Sequence, residues 1–271
     1  MNRRELLLAG LGLTLAGPSL VGPAMADQGY QTIFYKSGNL SIEAYLYKPT
    51  GDGPFPLIIY NHGTRGAHAK QETPFRDIGS MLRAAGYVVL VPERRGYGKS
   101  GGRAASGQEA ASGLQDEASD VLAALDYIKT LPYVDQNRLG MVGWSFGGIV
   151  TIFAISQSDA FKVAIDQAGG ALSWKKNAGI RQAILAAARS VKIPVFFMDA
   201  ENDATTDAVT ETAAVLQQTG VTHQLKIYPA YTPPSDPDRT PPGHLIFAGP
   251  GVHLWKDDAL AFLNAELHPG T

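Results

Sequence analysis

A short apolar run that leads into a helix through a serine-centred turn places the strongest constraint on how this chain folds. Residues 139–144 form the apolar run, and the letters GWSFGG at 143–148 precede a helix-compatible stretch. G-x-S-x-G at a strand–turn–helix junction is typical of a nucleophile elbow. Because the turn strains the serine backbone, the positions two residues to either side must lack side chains. Ser145 is therefore the candidate nucleophile, with a glycine-rich structural turn as the alternative.

Most of the remaining chain alternates short apolar runs with longer helical stretches. Runs that are apolar throughout are buried on both faces, as in a parallel sheet covered by helices. A hairpin is predicted before them, at 30–37 and 40–48. Without an internal repeat or a linker between two cores, residues 27–271 are predicted to form one α/β domain with a mostly parallel sheet and helices on both faces. The predicted later strands are 57–61, 87–91, 139–144, 163–167, 195–199 and 224–228, and the predicted helices lie near 74–85, 112–130, 146–157, 178–190, 206–218 and 256–267.

Residues 1–26 have the pattern of a cleavable export signal. The basic pair Arg3-Arg4 precedes a short apolar run, and Ala24-Met25-Ala26 is a small-x-small cleavage site, so the mature chain is predicted to begin at Asp27. The apolar run is too short for a bilayer core of ~30 Å, so no membrane span is predicted in the mature protein. The arginine pair resembles a twin-arginine signal. We therefore predict an exported protein, periplasmic or secreted, with an uncleaved N-terminal anchor as the alternative.

Composition and charge exclude several classes of function. With 23 Lys and Arg against 25 Asp and Glu, the formal net charge is -2, which is not the charge of a nucleic-acid-binding domain. The absence of cysteine excludes a thiol nucleophile, a cysteine zinc site and disulfides. The letters RGYGKSGG at 95–102 lack the spacing of a phosphate-binding loop, so we interpret them as a structural turn with Arg95 as an ion-pairing brace. No metal or cofactor is predicted, and the sequence specifies no oligomeric state.

A serine nucleophile needs an acid and a histidine, which follow in that order after this type of elbow. The acid is expected just beyond a late strand, and residues 195–199 precede Ala200-Glu201-Asn202-Asp203. We predict Asp203, because it lies in the loop before a helix. Glu201 and Asp199 are the alternatives.

The base is expected in the loop after the last strand. His244 follows Gly243 in a proline-rich stretch at 231–243, and His253 lies nearer the final helix. We predict His244 as the base, with His253 as the alternative.

Two backbone amides are candidates for the oxyanion hole. The amide of Phe146 follows the nucleophile directly. The second donor is expected in the loop after the strand at 57–61, where Gly63 lets the chain turn so that the amide of Thr64 faces Ser145; the amides of Gly63 and Arg65 are alternatives. His62 is interpreted as a residue that braces this loop.

The substrate pocket is the least defined part of the sequence-based prediction. The segment between 169 and 193 has room for a loop and one helix, so we predict a minimal cap and an open site. Trp174 and Phe146 are candidate lining residues of an acyl pocket, with plain core packing as the alternative for each.

These motifs, in this order, resemble the α/β-hydrolase family. The closer resemblance is to its dienelactone-hydrolase-like branch, which is related to the catalytic domain of prolyl-oligopeptidase-type serine peptidases. It implies an oxyanion loop at His-Gly, a nucleophile in G-x-S-x-G, a late Asp and His, and no metal or cofactor. Dienelactone hydrolase proper uses a cysteine nucleophile, whereas this chain has serine. The residues that carry the resemblance are Asn61-His62-Gly63, the letters RGYGKSGG at 95–102, GWSFGG at 143–148, Asn202-Asp203 and Gly243-His244.

The sequence therefore predicts a serine hydrolase that cleaves small-molecule carboxylic esters through an acyl-enzyme intermediate. One alternative is a serine peptidase of the prolyl-oligopeptidase type. Another is a catalytically silent binding protein on the same scaffold.

Overall fold

The computed structural model describes residues 29–105, 110–235 and 240–267, which are built around a single eight-stranded sheet. Its strand order is β1-β2-β4-β3-β5-β6-β7-β8. β1 and β2 form an antiparallel hairpin that pairs with β4, and every later neighbour is parallel. The strands are β1 (Gln31–Ser37), β2 (Leu40–Tyr47), β3 (Phe55–Asn61), β4 (Val88–Glu93), β5 (Val134–Trp144), β6 (Phe161–Gln167), β7 (Val195–Ala200) and β8 (His223–Tyr228).

Helices cover both faces of the sheet, and each face has its own apolar core. Helices α2, α3, α4 and α5 pack on one face, and α1 and α6 pack on the other. The central strands are buried on both sides, which explains why they are apolar throughout. The predicted α/β-hydrolase architecture is confirmed. The helices are α1 (Arg76–Ala84), α2 (Ala110–Ile128), α3 (Phe146–Ile155), α4 (Ala178–Ala188), α5 (Asp207–Gln218) and α6 (Val252–Leu267).

The strand order brings the chemically important loops to one edge of the sheet. In an open α/β sheet, ligands bind beyond the carboxyl ends of the strands. β3 lies directly beside β5, so the segment after Asn61 is adjacent to the turn after Trp144. The loop after β7 and the segment after β8 open at the same edge, because these strands run parallel to β5 and β6.

Two elements, β5 and α6, begin four or five residues earlier than the sequence pattern predicts. β5 starts at Val134 rather than 139: Val134 pairs with Phe55, and a register shift with four polar residues at 135–138 separates this pair from the pairing of Leu57 with Leu139. Backbone pairing of this kind does not require apolar side chains, so hydrophobic periodicity does not detect it. α6 starts at Val252 rather than 256, directly after a 3₁₀ turn at Gly249–Gly251.

A turn-rich segment at 168–177, α4 and a short connection at 189–194 lie between β6 and β7. The predicted export signal at 1–26 lies outside the described residues. In the part of the chain that is described, no helix combines the length and the apolar character that crossing a bilayer requires.

Candidate active site

Ser145 occupies a strained turn between β5 and α3. Its φ of 57° and ψ of -122° lie in a region that non-glycine residues rarely adopt. A Cβ at Gly147 would lie 1.9 Å from the carbonyl oxygen of Asn61, and one at Gly143 would lie 2.2 Å from the carbonyl oxygen of Gly147. Both glycines of G-x-S-x-G are therefore required by close backbone packing, and the turn holds Ser145 at the end of the strand.

His244 bridges Ser145 and Asp203. Its Nε2 lies 2.8 Å from the Oγ of Ser145, and its Nδ1 lies 2.6 Å from the Oδ2 of Asp203. His244 is 2% exposed, and the side chain of Asp203 is fully buried. With Nδ1–H donating to the carboxylate, Nε2 is free to accept the proton of the serine hydroxyl. The structure thus brings together the three residues that the sequence nominates as nucleophile, base and acid.

The alternative acids and base lie elsewhere. His253 is exposed on α6, and its Nδ1 lies 3.0 Å from the carbonyl oxygen of Pro250. Glu201 is exposed. Asp199 is completely buried on β7 and contacts the carboxyl group of Asp203.

Trp144 and Asn202 make contacts that the sequence did not predict and that hold the histidine and the acid in place. The indole Nε1–H of Trp144 donates to the carbonyl oxygen of His244 over 3.1 Å, and the two rings lie 5.6 Å apart between centroids. The side chain of Asn202 accepts from the amide of Tyr231 over 2.9 Å and donates to its carbonyl oxygen over 2.8 Å. The amide of Gly243 donates to the carbonyl oxygen of Asn202 over 3.3 Å. Trp144 and Asn202 each precede a candidate catalytic residue directly and belong to the motifs that carry the family resemblance, but neither signal indicates these contacts.

The candidate oxyanion donors lie around Ser145. Phe146 is the first residue of α3, where amide hydrogens have no partner within the helix and the helix dipole favours negative charge. The loop after β3 passes so close that a Cβ at Gly63 would lie 3.0 Å from the Cβ of Ser145. Gly63, Thr64 and Phe146 line the cavity above the serine. The side chain of Arg65, the residue whose amide is another alternative donor, bonds Glu93 on β4 through its guanidinium.

Buried polar groups brace this loop from below. His62 is fully buried, and its Nδ1 lies 2.7 Å from the carbonyl oxygen of Gly63. Burial, followed by the positive charges of Arg94 and Arg65, holds the pKa of His62 well below its usual value, so its ring is neutral. Arg94 donates to the carbonyl oxygen of His62 over 2.8 Å and pairs with Glu117 over 2.7 Å. These contacts fit the bracing role assigned to His62.

Arg95 lies at the start of the glycine-rich turn at 95–102 and pairs with two carboxylates of α2. Its Nε lies 2.9 Å from Asp120, and its Nη1 lies 2.8 Å from Asp116. The contacts are those of an ion-pairing brace.

The cavity at Ser145 has a volume of about 320 Å³ and a wall of mostly apolar side chains. Trp174 is corrected as a lining residue. It is 1% exposed, belongs to the core under α4 and α5, and donates its Nε1–H to Glu211 over 3.2 Å. The tryptophan packs against Gly170, which itself lines the cavity, so Trp174 lies one layer below the surface. Phe146 does line the cavity, and the other large apolar or aromatic lining residues are Trp144, Ile149, Leu172, Ile180 and Leu245.

In the described ranges, no group of three or more His, Asp or Glu side chains is placed so that it could hold a metal ion.

The family of this chain follows from a match to a sequence profile. The profile of the dienelactone hydrolase family matches residues 42–237, well over half of the chain. The chain belongs to the dienelactone hydrolase family. This family member is 30% identical over 133 residues to the quorum-quenching protein AidA of Acinetobacter baumannii, in an alignment that covers 49% of this chain and 41% of that protein.

Solved structures with the same fold include both peptidases and esterases. An acylaminoacyl peptidase of Pyrococcus horikoshii superposes with a TM-score of 0.68 at 18% identity, over 88% of this chain and 42% of the peptidase. An esterase of Pyrococcus furiosus superposes with a TM-score of 0.65 at 19% identity, over 88% of this chain and 93% of the esterase. At these identities the similarity establishes the fold, and the family establishes a hydrolase.

Proposed function

We propose that this dienelactone hydrolase family member is a serine esterase that cleaves small carboxylic esters through an acyl-enzyme intermediate. The observation that carries the proposal is the pair of hydrogen bonds from His244 to Ser145 and Asp203, 2.8 and 2.6 Å long, at the base of an apolar cavity.

The proposed mechanism begins with proton transfer from Ser145 to His244. The serine Oγ attacks the ester carbonyl carbon while Nε2 of His244 takes its proton, and Asp203 stabilises the imidazolium. The amides of Thr64 and Phe146 donate to the oxyanion, and removal of one such donor typically lowers kcat by ~10²–10³. The imidazolium then protonates the leaving alcohol. Water, activated by the same histidine, cleaves the acyl-enzyme and restores the serine.

The cavity supports a small acyl group. Its volume of about 320 Å³ is at the lower end of the usual range for ligand sites. Ile149 and Ile180 are almost completely buried behind it, so an alkyl chain that enters would contact apolar side chains. Leu172 remains 39% exposed and lies at the cavity, which adds apolar surface open to solvent.

Esters and amides that share an acyl group and a chromophore test this proposal. p-Nitrophenyl esters of short and medium acids and the matching p-nitroanilides should be compared for the protein expressed from the full-length chain, beside Ser145→Ala. We expect saturable ester hydrolysis, a far lower kcat/KM for the anilides, and loss of both in the variant. A serine esterase also reacts with a fluorophosphonate at Ser145.

Other results point to other functions. Comparable ester and anilide rates would favour the peptidase alternative. An unlabelled Ser145 together with no turnover would favour a silent binding protein.

We also propose that the enzyme acts outside the cytoplasm. The support is the basic, apolar and small-residue pattern of residues 1–26. N-terminal sequencing of the protein recovered from the extracytoplasmic fraction is expected to begin at Asp27. Lysine substitution of Arg3 and Arg4 should block export if the twin-arginine route is used, and cytoplasmic protein that still begins at Met1 would contradict export.

A further inference from the structure

Asp199 is a second buried carboxyl group behind the acid of the proposed triad. It lies on β7, four residues before Asp203, and is completely buried. One of its oxygens, Oδ1, accepts a hydrogen bond of 2.8 Å from the amide of Ala200. No described residue donates to its other oxygen, Oδ2, and the carboxyl group lies against the side chain of Asp203, so that a proton on either one would form a hydrogen bond between them.

Two carboxyl groups that face each other in a buried site cannot both be ionised, and a hydrogen bond between them requires a proton on one. Asp203 has the better environment for a negative charge, because it accepts from His244 and from the amide of Ala204. Asp199 accepts only the one backbone hydrogen bond described above. The shared proton therefore belongs to Asp199.

We propose that Asp199 is a positioning residue: its neutral carboxyl group donates a hydrogen bond to the carboxylate of Asp203 and holds that carboxylate toward His244. Asp203 then accepts from the base, from the backbone and from a neutral acid, so its orientation is determined on three sides. This inference rests on the proposed serine esterase mechanism, in which Asp203 orients His244.

The charges around Asp199 agree with this protonation state. Burial, followed by the negative charge of Asp203 and the hydrogen bond to it, raises the pKa of Asp199 to about 9. Asp166 on β6 adds a smaller effect in the same direction, and the hydroxyl of Tyr228 on β8 bonds Asp258. His244 lies one hydrogen bond beyond Asp203. Asp199 is thus neutral at pH 7, and it loses the proton that it donates to Asp203 when the pH rises through about 9.

The rate of inactivation by a fluorophosphonate, followed from about pH 6 to pH 10.5, tests this role without requiring a known substrate. We expect the rate of the unmodified protein to fall above about pH 9, when Asp199 ionises. In Asp199→Asn the amide N–H donates at every pH, so a near-normal rate with no such alkaline fall is expected. In Asp199→Leu no donor remains, and the rate should be about 10- to 100-fold lower throughout, the usual effect of losing a hydrogen bond to a charged group.

Asp166→Asn is the matched control. Asp166 is buried on the neighbouring strand, and its Oδ1 accepts from the amide of Gly169 rather than from the triad. This variant should retain the alkaline fall near pH 9. An alkaline fall that persists unchanged in Asp199→Asn, or a normal rate in Asp199→Leu, would overturn the proposal. Thermal unfolding of each variant shows whether a lowered rate reflects misfolding.

A measurement that is independent of catalysis separates this proposal from the proposed function. The Nδ1 proton of His244, observed by NMR, should shift between about pH 8 and pH 10.5 as Asp199 ionises, and the shift should disappear in Asp199→Asn. A resonance that does not move in the unmodified protein refutes the role of Asp199, whatever the chain hydrolyses. If fluorophosphonate fails to label the protein at any pH while the resonance moves as expected, the esterase proposal fails and the contact between Asp199 and Asp203 stands.

Discussion

Replacing His244 by alanine is expected to lower kcat for p-nitrophenyl esters by about 10⁶, as loss of the base does in other serine hydrolases with this triad. Without the imidazole, the hydroxyl of Ser145 keeps its proton and is a poor nucleophile. Asp203→Asn is expected to cost about 10⁴, because an amide favours the wrong tautomer of the histidine. Steady-state kinetics at saturating ester, with unfolding curves for each variant, provide the measurement.

His253→Ala is the control for this prediction, since that side chain is exposed and bonds only a local carbonyl oxygen among the described residues. It should leave kcat within about twofold of the unmodified enzyme, as expected for a surface substitution. If His253→Ala abolished turnover while His244→Ala did not, the assignment of the base would be reversed.

Replacing Glu117 by leucine is expected to reduce the free energy of unfolding by about 3–5 kcal/mol, the usual cost of removing one partner of a buried ion pair. Glu117 on α2 pairs with Arg94 over 2.7 Å, and both side chains are completely buried. Its second oxygen accepts from the amide of Ala105 over 2.9 Å. The substitution leaves the guanidinium of Arg94 buried without its counter-charge. Urea unfolding followed by fluorescence should show a lower midpoint with an unchanged slope.

An exposed ion pair on the same helix is the matched control. Asp126 lies in the last turn of α2, and Lys129 follows the helix directly. Their side chains are 86% and 66% exposed. Asp126→Asn should change stability by less than about 1 kcal/mol, because solvent screens such a pair. Equal effects of the two substitutions would contradict the structural importance of the buried pair. Combining Glu117→Leu with Arg94→Met should recover part of the loss, since no unpaired charge then remains.

The sequence was sufficient to nominate Ser145, Asp203 and His244, because their order along the chain follows from the fold. Each candidate comes directly after, or in the loop beyond, a predicted strand, and parallel strands end at one edge of the sheet. The sheet itself was predictable from runs that are apolar on both faces. Local sequence thus carries information about which loops meet, even though the residues are far apart in the chain.

Contacts that depend on the direction of a side chain were not predictable in the same way. The position of Trp174 next to a site-forming loop made it a pocket candidate, but its indole points into the core and bonds Glu211. Trp144 and Asn202 act through backbone atoms of distant residues, and backbone atoms carry no sequence signature. Asp199 was an alternative acid because it is a carboxylate at the end of the late strand, and only its burial and its contact with Asp203 distinguish its role.

The contacts of Asn202 have a consequence for how this scaffold tolerates change. One residue holds Tyr231 through its side chain and Gly243 through its carbonyl oxygen, so both ends of the intervening stretch are anchored at the same point. The entropy cost of closing a loop rises only slowly with its length, by about 0.6 kcal/mol for each doubling. Thr240, which lies between the two anchors, lines the cavity. Substitutions and insertions beside it are therefore expected to change the cavity while the position of His244 is preserved. Substrate preference is therefore expected to change through this stretch without a change in the geometry of the catalytic residues.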